Sequence, residues 1–389
     1  MTKVLFTQAH VFNGETMEQD AQFALDTNSG RFISPSEAVD ETIDLKGKYV
    51  VPGLINAHTH IVADPEGKVS QLGSPENDAV TATYSALKNL KALLNDGVTY
   101  IRDVGSIYDV DLKLSELEKQ GAFTAPGIVA SGSPLTMTGG HFSEGSYEVD
   151  GVDEVRKYAR KLLKKGADNL KLMATGGVSF SGETPHDVQM SKEEMEAAVI
   201  EAHHKGRTAC AHAQGTEGIK NAVLAGVDSI EHAVYLDDEA IQLCLDHHTF
   251  IVPTLIAPYA INQHQEILPD FMVKKSLEIE AAHFESIGKA AKAGVKLALG
   301  TDSGTAMNNF DTHSTFEMEL MTRTGATNLQ TLQAATINAA ELLNISEDTG
   351  SIEEGKLADF IVLDHNPLED IKVLQGEKTV YKKGYKVAR

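Results

Sequence analysis

The sequence has little cysteine, no long apolar run and a shortage of basic residues. Its two cysteines, Cys210 and Cys244, are far apart and lack CxxC spacing, which indicates reduced, buried thiols and excludes a disulfide framework or a thiolate zinc site. No stretch reaches the roughly 18 apolar residues of a membrane span, and the first residues lack the basic start and apolar run of a signal peptide. We therefore expect a cytoplasmic protein with no membrane partner.

The charge balance is acidic, with 34 Lys and Arg against 56 Asp and Glu and a formal net charge of −22. Nucleic-acid binding needs clustered basic side chains, so we expect no nucleic-acid partner. Hydrophobic residues make up 42% of the 389 residues, which is ordinary for a globular protein. This length fits a barrel of about 250 residues or more with a smaller accessory domain.

Short β-like runs alternate with helical patterns through the middle of the chain, and this alternation is typical of parallel strands joined by crossover helices. The eight runs span residues 51–59, 98–104, 127–132, 169–174, 207–213, 228–233, 249–255 and 295–301. After the fourth run, Ser191 is placed to cap a crossover helix that stops at Gly206. The pattern predicts an α/β fold, a distorted (β/α)₈ TIM barrel.

The two ends of the chain do not follow this alternation. They contain short strands such as KVLFTQAHVF and ADFIVLDHN, separated by Gly, Asn and Asp turns. The simplest construction pairs residues 1–52 with residues 350–389 in one small β-sandwich domain. The barrel domain then covers residues 53–349.

Several polar side chains stand at the ends of the β-like runs, where catalytic groups of such barrels lie. They are His58 and His60 (NAHTH), Lys171 (NLKLMA), His212 (ACAHA), His232 (SIEHA) and Asp302 (LGTD). The spacing of two places His58 and His60 on one face of a strand. A charged Lys171 inside an apolar run is costly unless it is paired or chemically changed.

Each of these residues taken alone is compatible with an ordinary structural role, such as a hydrogen-bonded core histidine or, for Asp302, a helix cap. The joint pattern is more specific, because all six fall at the ends of runs one, four, five, six and eight. Imidazole and carboxylate are ligands suited to Zn²⁺ and related divalent ions, and two nearby ions can share a hydroxide. The set therefore predicts a metal-dependent hydrolase.

The chain resembles the amidohydrolase superfamily, in particular its prolidase-like branch of metal-dependent dipeptidases and carboxypeptidases, and it is also similar to imidazolonepropionase. The motifs that carry the resemblance are VPGLINAHTH, GVTYIRDVG, TGGH, NLKLMATGG, EAHHKG, CAHAQG, GVDSIEHA, VPTL, LGTDSG and GSIEEGKLADFIVLDHNP. These motifs extend over nearly the whole chain. The resemblance supports the barrel and places its site at the strand ends.

The resemblance implies two divalent metal ions, expected to be Zn²⁺. By this likeness His58 and His60 bind the more buried ion, a carboxylated Lys171 bridges both, and His212 and His232 bind the second. Asp302 would contact the first ion and act as general base and acid while a metal-bridging hydroxide attacks the amide carbonyl. His141, in the Gly-rich segment TMTGGHFSEG, would contact substrate or steady the oxyanion.

Further candidates are weaker. Tyr235 and Tyr259 are hypothesised to donate hydrogen bonds to a substrate carboxylate, although ordinary packing explains each equally well. His186 and Gln189, in the loop after run four, are weaker candidates still.

The leading functional hypothesis is hydrolysis of an amide bond in a small peptide or N-acyl amino acid, so the expected partner is a small-molecule or dipeptide substrate. One alternative is a cyclic amide hydrolase of the imidazolonepropionase type, against which Lys171 counts. Another is a non-catalytic barrel protein. A homo-oligomer is compatible with the sequence, and the side chain of the substrate is left open.

Overall fold

The computed structural model describes residues 2–66 and 78–388. The first five strands are β1 (Lys3–Phe12), β2 (Met17–Asp26), β3 (Arg31–Ile33), β4 (Glu41–Asp44) and β5 (Tyr49–Pro52). The parallel strands that follow are β6 (Leu54–Thr59), β7 (Val98–Asp103), β8 (Gly127–Ala130), β9 (Leu135–Thr136), β10 (Tyr147–Glu148), β11 (Asn169–Met173), β12 (Thr208–Ala213), β13 (Ser229–His232) and β14 (Phe250–Val252). The last strands are β15 (Phe360–Leu363), β16 (Lys378–Lys382) and β17 (Tyr385–Lys386).

The helices lie between and after the parallel strands. They are α1 (Ala79–Asn95), α2 (Val110–Lys119), α3 (Val152–Lys165), α4 (Lys192–His203), α5 (Thr216–Leu224), α6 (Asp238–His247), α7 (Ile256–Gln263), α8 (Asp270–Ala293), α9 (His313–Arg323), α10 (Asn328–Ala334) and α11 (Ile337–Leu342). As expected, Ser191 caps α4, in a capping box with Glu194, and the helix ends before Gly206. Among the described residues, no helix combines the length and apolar character needed to cross a membrane.

The two ends of the chain share one sheet. Its strand order is β17-β16-β15-β5-β1-β2-β3, and β4 also pairs with β1. Most of its pairs are antiparallel, while β1 pairs in parallel with β4 and β5. Phe6, Phe23, Phe32 and Phe360 fill its separate apolar core. The predicted association of the ends is confirmed, and the domain division at residues 52 and 350 stays a prediction.

The parallel strands form two sheets, β6-β7-β8 and β10-β9-β11-β12-β13-β14. The residues 295–302 connect them on one side, because the amide of Ala298 donates to the carbonyl of Ile251 at 2.9 Å and the amide of Ala57 donates to the carbonyl of Leu299 at 2.7 Å. On the other side, the amide of Asp168 donates to the carbonyl of Ala130 at 2.8 Å. Strands and crossover helices thus follow the (β/α)₈ arrangement, and the predicted fold class is confirmed.

Two predicted runs differ in detail from the structure. The run 295–301 is not a regular strand: it makes an isolated bridge to β14 between Leu297 and Ile251, and Gly300 passes so close to Val252 that an added Cβ would lie 2.2 Å away. The run 51–59 is divided at Gly53 between β5 of the chain-end sheet and β6 of the parallel sheet. An added Cβ at Gly53 would lie 2.1 Å from Thr99, so only glycine allows this close passage.

The main apolar core lies between the parallel strands and the surrounding helices. Leu90 and Leu93 of α1 pack with Ile101 of β7, and Leu162 of α3 packs with Leu170 of β11, all of them buried. This core fixes the strand ends, and therefore the polar side chains that follow them, in one place.

Candidate metal centre

A cavity of about 620 Å³ opens at the carboxyl ends of the parallel strands. Its walls include every residue that the sequence predicted as a metal ligand and also the predicted substrate contact His141. These lining residues are His58, His60, His141, Lys171, His212, His232 and Asp302. Such a volume is typical of a small-molecule site. The topology therefore brings together side chains that are up to 244 positions apart in the chain, from His58 to Asp302.

His58, His60 and Asp302 form the tightest part of this group. The Oδ1 atom of Asp302 lies 3.2 Å from Nε2 of His58 and 3.1 Å from Nε2 of His60. One ligand atom from each of the three residues lies within 4.8 Å of the others, so the group could hold a metal ion. The predicted convergence of the HxH pair on one point is seen here, with Asp302 supplied by the segment after residue 301.

His212 and His232 continue the cluster. Their ring centroids are 4.6 Å apart, and the ring of His232 is 5.2 Å from that of His58. The Nε2 atom of His212 lies 3.1 Å from the carbonyl oxygen of Gly176, and Nδ1 of His232 lies 2.6 Å from Oγ1 of Thr254. If Nε2 of His212 and Nδ1 of His232 carry the hydrogen, then Nδ1 of His212 and Nε2 of His232 each have a lone pair for a metal ion.

Lys171 lies on β11 beside these rings and is only 2% exposed. Its positive charge is close enough to act on the pKa values of His60, His212 and His232. Within the described part of the chain, its side chain forms no hydrogen bond or ion pair. A buried amine without a partner is costly as an ammonium ion, so this position is chemically unusual.

The electrostatics of the cluster favour metal ligation. Burial lowers the pKa of His60, and it lowers the pKa values of His212 and His232 well below the usual range, which keeps these imidazoles neutral near pH 7. Burial acts to raise the pKa of Asp302, but His58 and His60 hold it well below its usual value. Neutral imidazoles and an ionised carboxylate are the forms that bind metal ions.

The backbone is strained at three positions around the cavity. His232, Thr254 and Asp302 have φ angles of 73°, 54° and 59°, in the left-handed region that non-glycine residues seldom adopt. His283 of α8 holds this region from behind, since its Nε2 lies 2.9 Å from the carbonyl oxygens of both His232 and Pro253. Such strain persists where the surroundings over-determine a conformation, as they do at functional sites.

A buried charged network, which the sequence analysis missed, supports His58. The Nδ1 atom of His58 lies 2.6 Å from Oε2 of Glu231, and the other carboxylate oxygen of Glu231 accepts hydrogen bonds from Arg102 at 2.8 Å and Ser229 at 2.6 Å. Arg102 also donates to the carbonyl of Ala57 at 2.7 Å. All members of this network are buried. The network fixes the ring of His58 with Nε2 towards Asp302.

The signal for this network was present in the sequence. Glu231 interrupts the apolar run DSIEHA and Arg102 interrupts VTYIRDV, in the same way that Lys171 interrupts NLKLMA. Burial acts to raise the pKa of Glu231, but the charge of Arg102 and the hydrogen bond to His58 hold it below its usual value. Glu231 is thus an anionic partner for the ring of His58.

His141 reaches the cavity from the loop after β9. Its Nδ1 lies 2.5 Å from Oε1 of Glu183, and its backbone amide donates to Oε1 of Gln189 at 2.7 Å. Its ring stacks on His212 with centroids 4.1 Å apart. Gln189, a weak candidate from the sequence, therefore supports the loop of His141, and Glu183 is a further residue that the sequence analysis missed.

The two tyrosines do not line the cavity. Tyr235 packs against His186 with ring centroids 4.6 Å apart, and Tyr259 packs against Phe316 at 5.3 Å. In the described structure their expected contact with a substrate carboxylate has no support from the geometry. Ordinary packing, which the sequence left open, is consistent with both, and their contact with substrate stays a prediction.

The donor set fits divalent metal ions. Four histidines, one carboxylate and one unpaired buried lysine surround a single cavity, and nitrogen and oxygen donors of this kind suit zinc and related ions. The histidines are also held by neighbours outside the ligand set, as in well-ordered metal sites. The fold and the site together define a class of metal-dependent hydrolases built on a (β/α)₈ barrel.

Residues 49–387 match the model of the amidohydrolase family, and the chain belongs to this family. It is 30% identical over 362 residues to ochratoxinase of Aspergillus niger, covering 85% of this chain and 73% of the relative. It is 25% identical to 5-methylthioadenosine/S-adenosylhomocysteine deaminase of Bacillus cereus, with 87% and 78% covered. The predicted superfamily is thereby confirmed.

Solved structures show the same relationship. A Xaa-Pro dipeptidase with bound methionine in the active site has a TM-score of 0.90 and 30% identity, with 99% of each chain covered. A prolidase complexed with N-methylphosphonate-L-proline has a TM-score of 0.90 and 30% identity over 100% of each chain. The protein is a hydrolytic enzyme that acts on carbon–nitrogen bonds, in agreement with the prediction, and the non-catalytic alternative is not retained.

Proposed function

We propose that this protein is a binuclear metal-dependent hydrolase that cleaves an amide bond of a small peptide or an N-acyl amino acid. The observation that carries the proposal is the set of polar side chains around one cavity, with the buried Lys171 among the four histidines. The names of the relatives agree with it, since one structure is a Xaa-Pro dipeptidase and another a prolidase bound to a proline derivative.

His58, His60 and Asp302 would hold one ion, and His212 and His232 would hold the second. Lys171 would contact both as a carboxylated side chain, because a carbamate removes the buried positive charge and offers an oxygen to each ion. We take Zn²⁺ as the expected metal from this donor set. When bound, the two ions supply Lewis acidity, which polarises a carbonyl group and lowers the pKa of water.

Asp302 is the proton carrier in this proposal. Its pKa is well below the usual range, so it is ionised and accepts a proton from the attacking water. It then gives this proton to the nitrogen of the broken C–N bond, which leaves as a neutral amine. The left-handed backbone at Asp302 and its contacts with His58 and His60 hold the carboxylate in place for both transfers.

His141 orients the carbonyl group. Glu183 occupies its Nδ1, which leaves Nε2 for the substrate. A donor held in this way stabilises the negative charge that develops on the carbonyl oxygen. Because Gln189 binds the backbone of His141 and also Glu183, the loop is fixed before substrate arrives.

The proposal is tested by screening zinc-loaded protein against dipeptides, N-acyl amino acids and a cyclic amide, with Asp302→Asn as a control for contaminating hydrolases. We expect linear amides to be hydrolysed and the variant to be inactive in the same assay. Turnover of the cyclic amide alone would replace the proposal by the imidazolonepropionase-type alternative. Equal turnover by Asp302→Asn would show that the activity does not come from this site.

A further inference from the structure

The cavity has two chemically different halves. The strand ends carry His58, His60, Lys171, His212, His232 and Asp302, whereas an apolar wall is formed by side chains from the loops after β9, β11 and β13 and from α7 and α8. The main residues of this apolar wall are Phe142, Val178, Phe180, Val234, Ile261 and Met272. A wall of this kind offers a substrate dispersion contacts and little else.

The apolar wall is a built part of the fold. Val178, Val234 and Ile261 belong to a buried cluster that is separate from the main barrel core, with Met272 packed against it. At the mouth of the cavity, Ile267 is 61% exposed, so apolar surface continues outward from this wall. Because these side chains also pack on one another within the cluster, the wall keeps its shape when it is not covered by a ligand.

Charge on the walls argues against recognition of a free carboxylate there. Among the described lining residues there is no arginine, and the only lysine is Lys171, at the strand ends. The nearby ammonium of Lys275 is already used, since it donates to the carbonyls of Gly177, Phe180 and Glu183.

We propose that the substrate carries a large, uncharged apolar group, aryl or extended aliphatic, next to the scissile amide, and that this group lies against the apolar wall. The inference rests on the proposed amide hydrolysis and adds its substrate class. The cavity of about 620 Å³ has room for such a group beside the reacting bond. Each methylene that the wall buries contributes about fourfold to binding.

Two substrate series test this inference. In the first, methionine is acylated with acetyl, butanoyl, hexanoyl or octanoyl groups; in the second, the acyl group stays acetyl and the amine side changes from glycine to leucine and phenylalanine. We expect kcat/KM to rise at least about tenfold along one series, which identifies the side of the amide that faces the wall. A flat response in both series, with hydrolysis of the short amides, would overturn the inference and leave the proposed function standing.

Met272 and Leu277 give a matched pair of variants on α8, because Met272 lines the cavity and Leu277 is 46% exposed and does not. Met272→Gln should reduce the ratio of long-chain to short-chain kcat/KM by about fivefold or more. Leu277→Gln should leave this ratio unchanged. Equal effects of the two changes would contradict the assignment of the wall.

Measuring the binding of uncleaved substrates tests the apolar wall independently of whether the protein hydrolyses them. In the Asp302→Asn variant, calorimetry should show N-octanoyl-methionine binding at least about tenfold more tightly than N-acetyl-methionine if the acyl side faces the wall. N-acetyl-phenylalanine should bind more tightly than N-acetylglycine if the amine side does. Equal affinities within both pairs would refute the inference even if no amide were hydrolysed.

Discussion

The interior of the barrel near the cavity and the interior of the chain-end sheet differ in the side chains that they bury. Near the cavity, the charged residues that the barrel buries include Arg102, Lys171 and Glu231, each at most 2% exposed. The sheet instead packs aromatic rings, with Phe6 stacked on Phe23 at 4.9 Å and Phe360 stacked on Tyr381 at 4.3 Å. Burial of charge costs stability, whereas burial of rings contributes to it.

We interpret this difference as one of role: the buried charges of the barrel serve the proposed metal site, and the buried rings of the sheet serve stability. Glu231 binds the proposed metal ligand His58 and is itself held by Arg102, so these charged residues orient a histidine in a way that apolar residues could not. The sheet also contains a buried ion pair, Lys382 with Asp359 at 2.7 Å, but that lysine also donates to the carbonyl of Thr99, and among the described residues it makes no hydrogen bond with a residue that lines the cavity. Changes in the barrel interior should therefore affect metal binding and turnover, and changes in the sheet should affect stability.

The largest effect on function is expected from Lys171→Ala. Losing the group that is proposed to hold both ions should remove several kcal/mol of transition-state stabilisation, or about 10³-fold or more in turnover. Metal analysis and kcat measure this effect, and Lys296→Ala, at an exposed lysine paired with Glu341, is the control. Partial rescue by added acetate or formate would support the carbamate. Full metal content with full activity would exclude the assigned role.

Phe360→Ala is the counterpart in the sheet. It removes a fully buried ring that packs on Phe6, Phe23 and Tyr381, so the free energy of unfolding should fall by about 3–5 kcal/mol. Denaturant unfolding measures this loss. The folded fraction should keep the kcat and metal content of the unchanged protein. A loss of metal from the folded variant would mean that the sheet also shapes the metal centre.

Asp302→Asn should leave the charged network under the cavity in place and remove the proton carrier. Turnover should fall by about 100-fold or more, the usual size of a general-base contribution. Steady-state kinetics at saturating zinc, beside a titration of metal content, distinguishes loss of proton transfer from loss of metal. Near-normal turnover would eliminate the role assigned to this carboxylate.

Glu231→Gln should have the smallest effect on function, and it can be compared directly with a matched change in the sheet. The amide keeps the shape but loses the anion beside Nδ1 of His58, so zinc affinity should fall by about 10- to 100-fold. Asp359→Asn is the matched change in the sheet, since Asp359 is also a buried partner of a cation. It should lower stability without changing zinc affinity. Equal zinc affinities in the two variants would remove the functional distinction between the networks.

Much of the fold and of the candidate site could be predicted from the sequence, and the reasons are physical. Parallel strands need crossover helices, so their alternation is visible in the hydrophobic pattern, and the strand ends must meet at one edge. His58, His60 and Asp302 therefore come together as expected. The irregular form of the segment 295–302 was not predicted, because its apolar run looks like a strand, whereas in the structure Leu297 makes only an isolated bridge to Ile251.

The supporting residues were harder to predict. Glu183 is in a polar loop where an acidic residue is ordinary, and only the folded loop places it 2.5 Å from His141. Tyr235 and Tyr259 pack against His186 and Phe316, and their contact with a substrate carboxylate stays a prediction. The apolar wall of the cavity was not predicted either, because its residues come from several loops and two helices that are far apart in the sequence.

The central claim is that two metal ions share this cavity through Lys171. The most direct test is the metal content of protein purified without chelators, measured by elemental analysis together with activity. The account predicts about two equivalents of divalent metal per chain, because the ligand set exceeds what one tetrahedral ion needs. A constant value near one equivalent with full activity would contradict it and indicate a mononuclear enzyme.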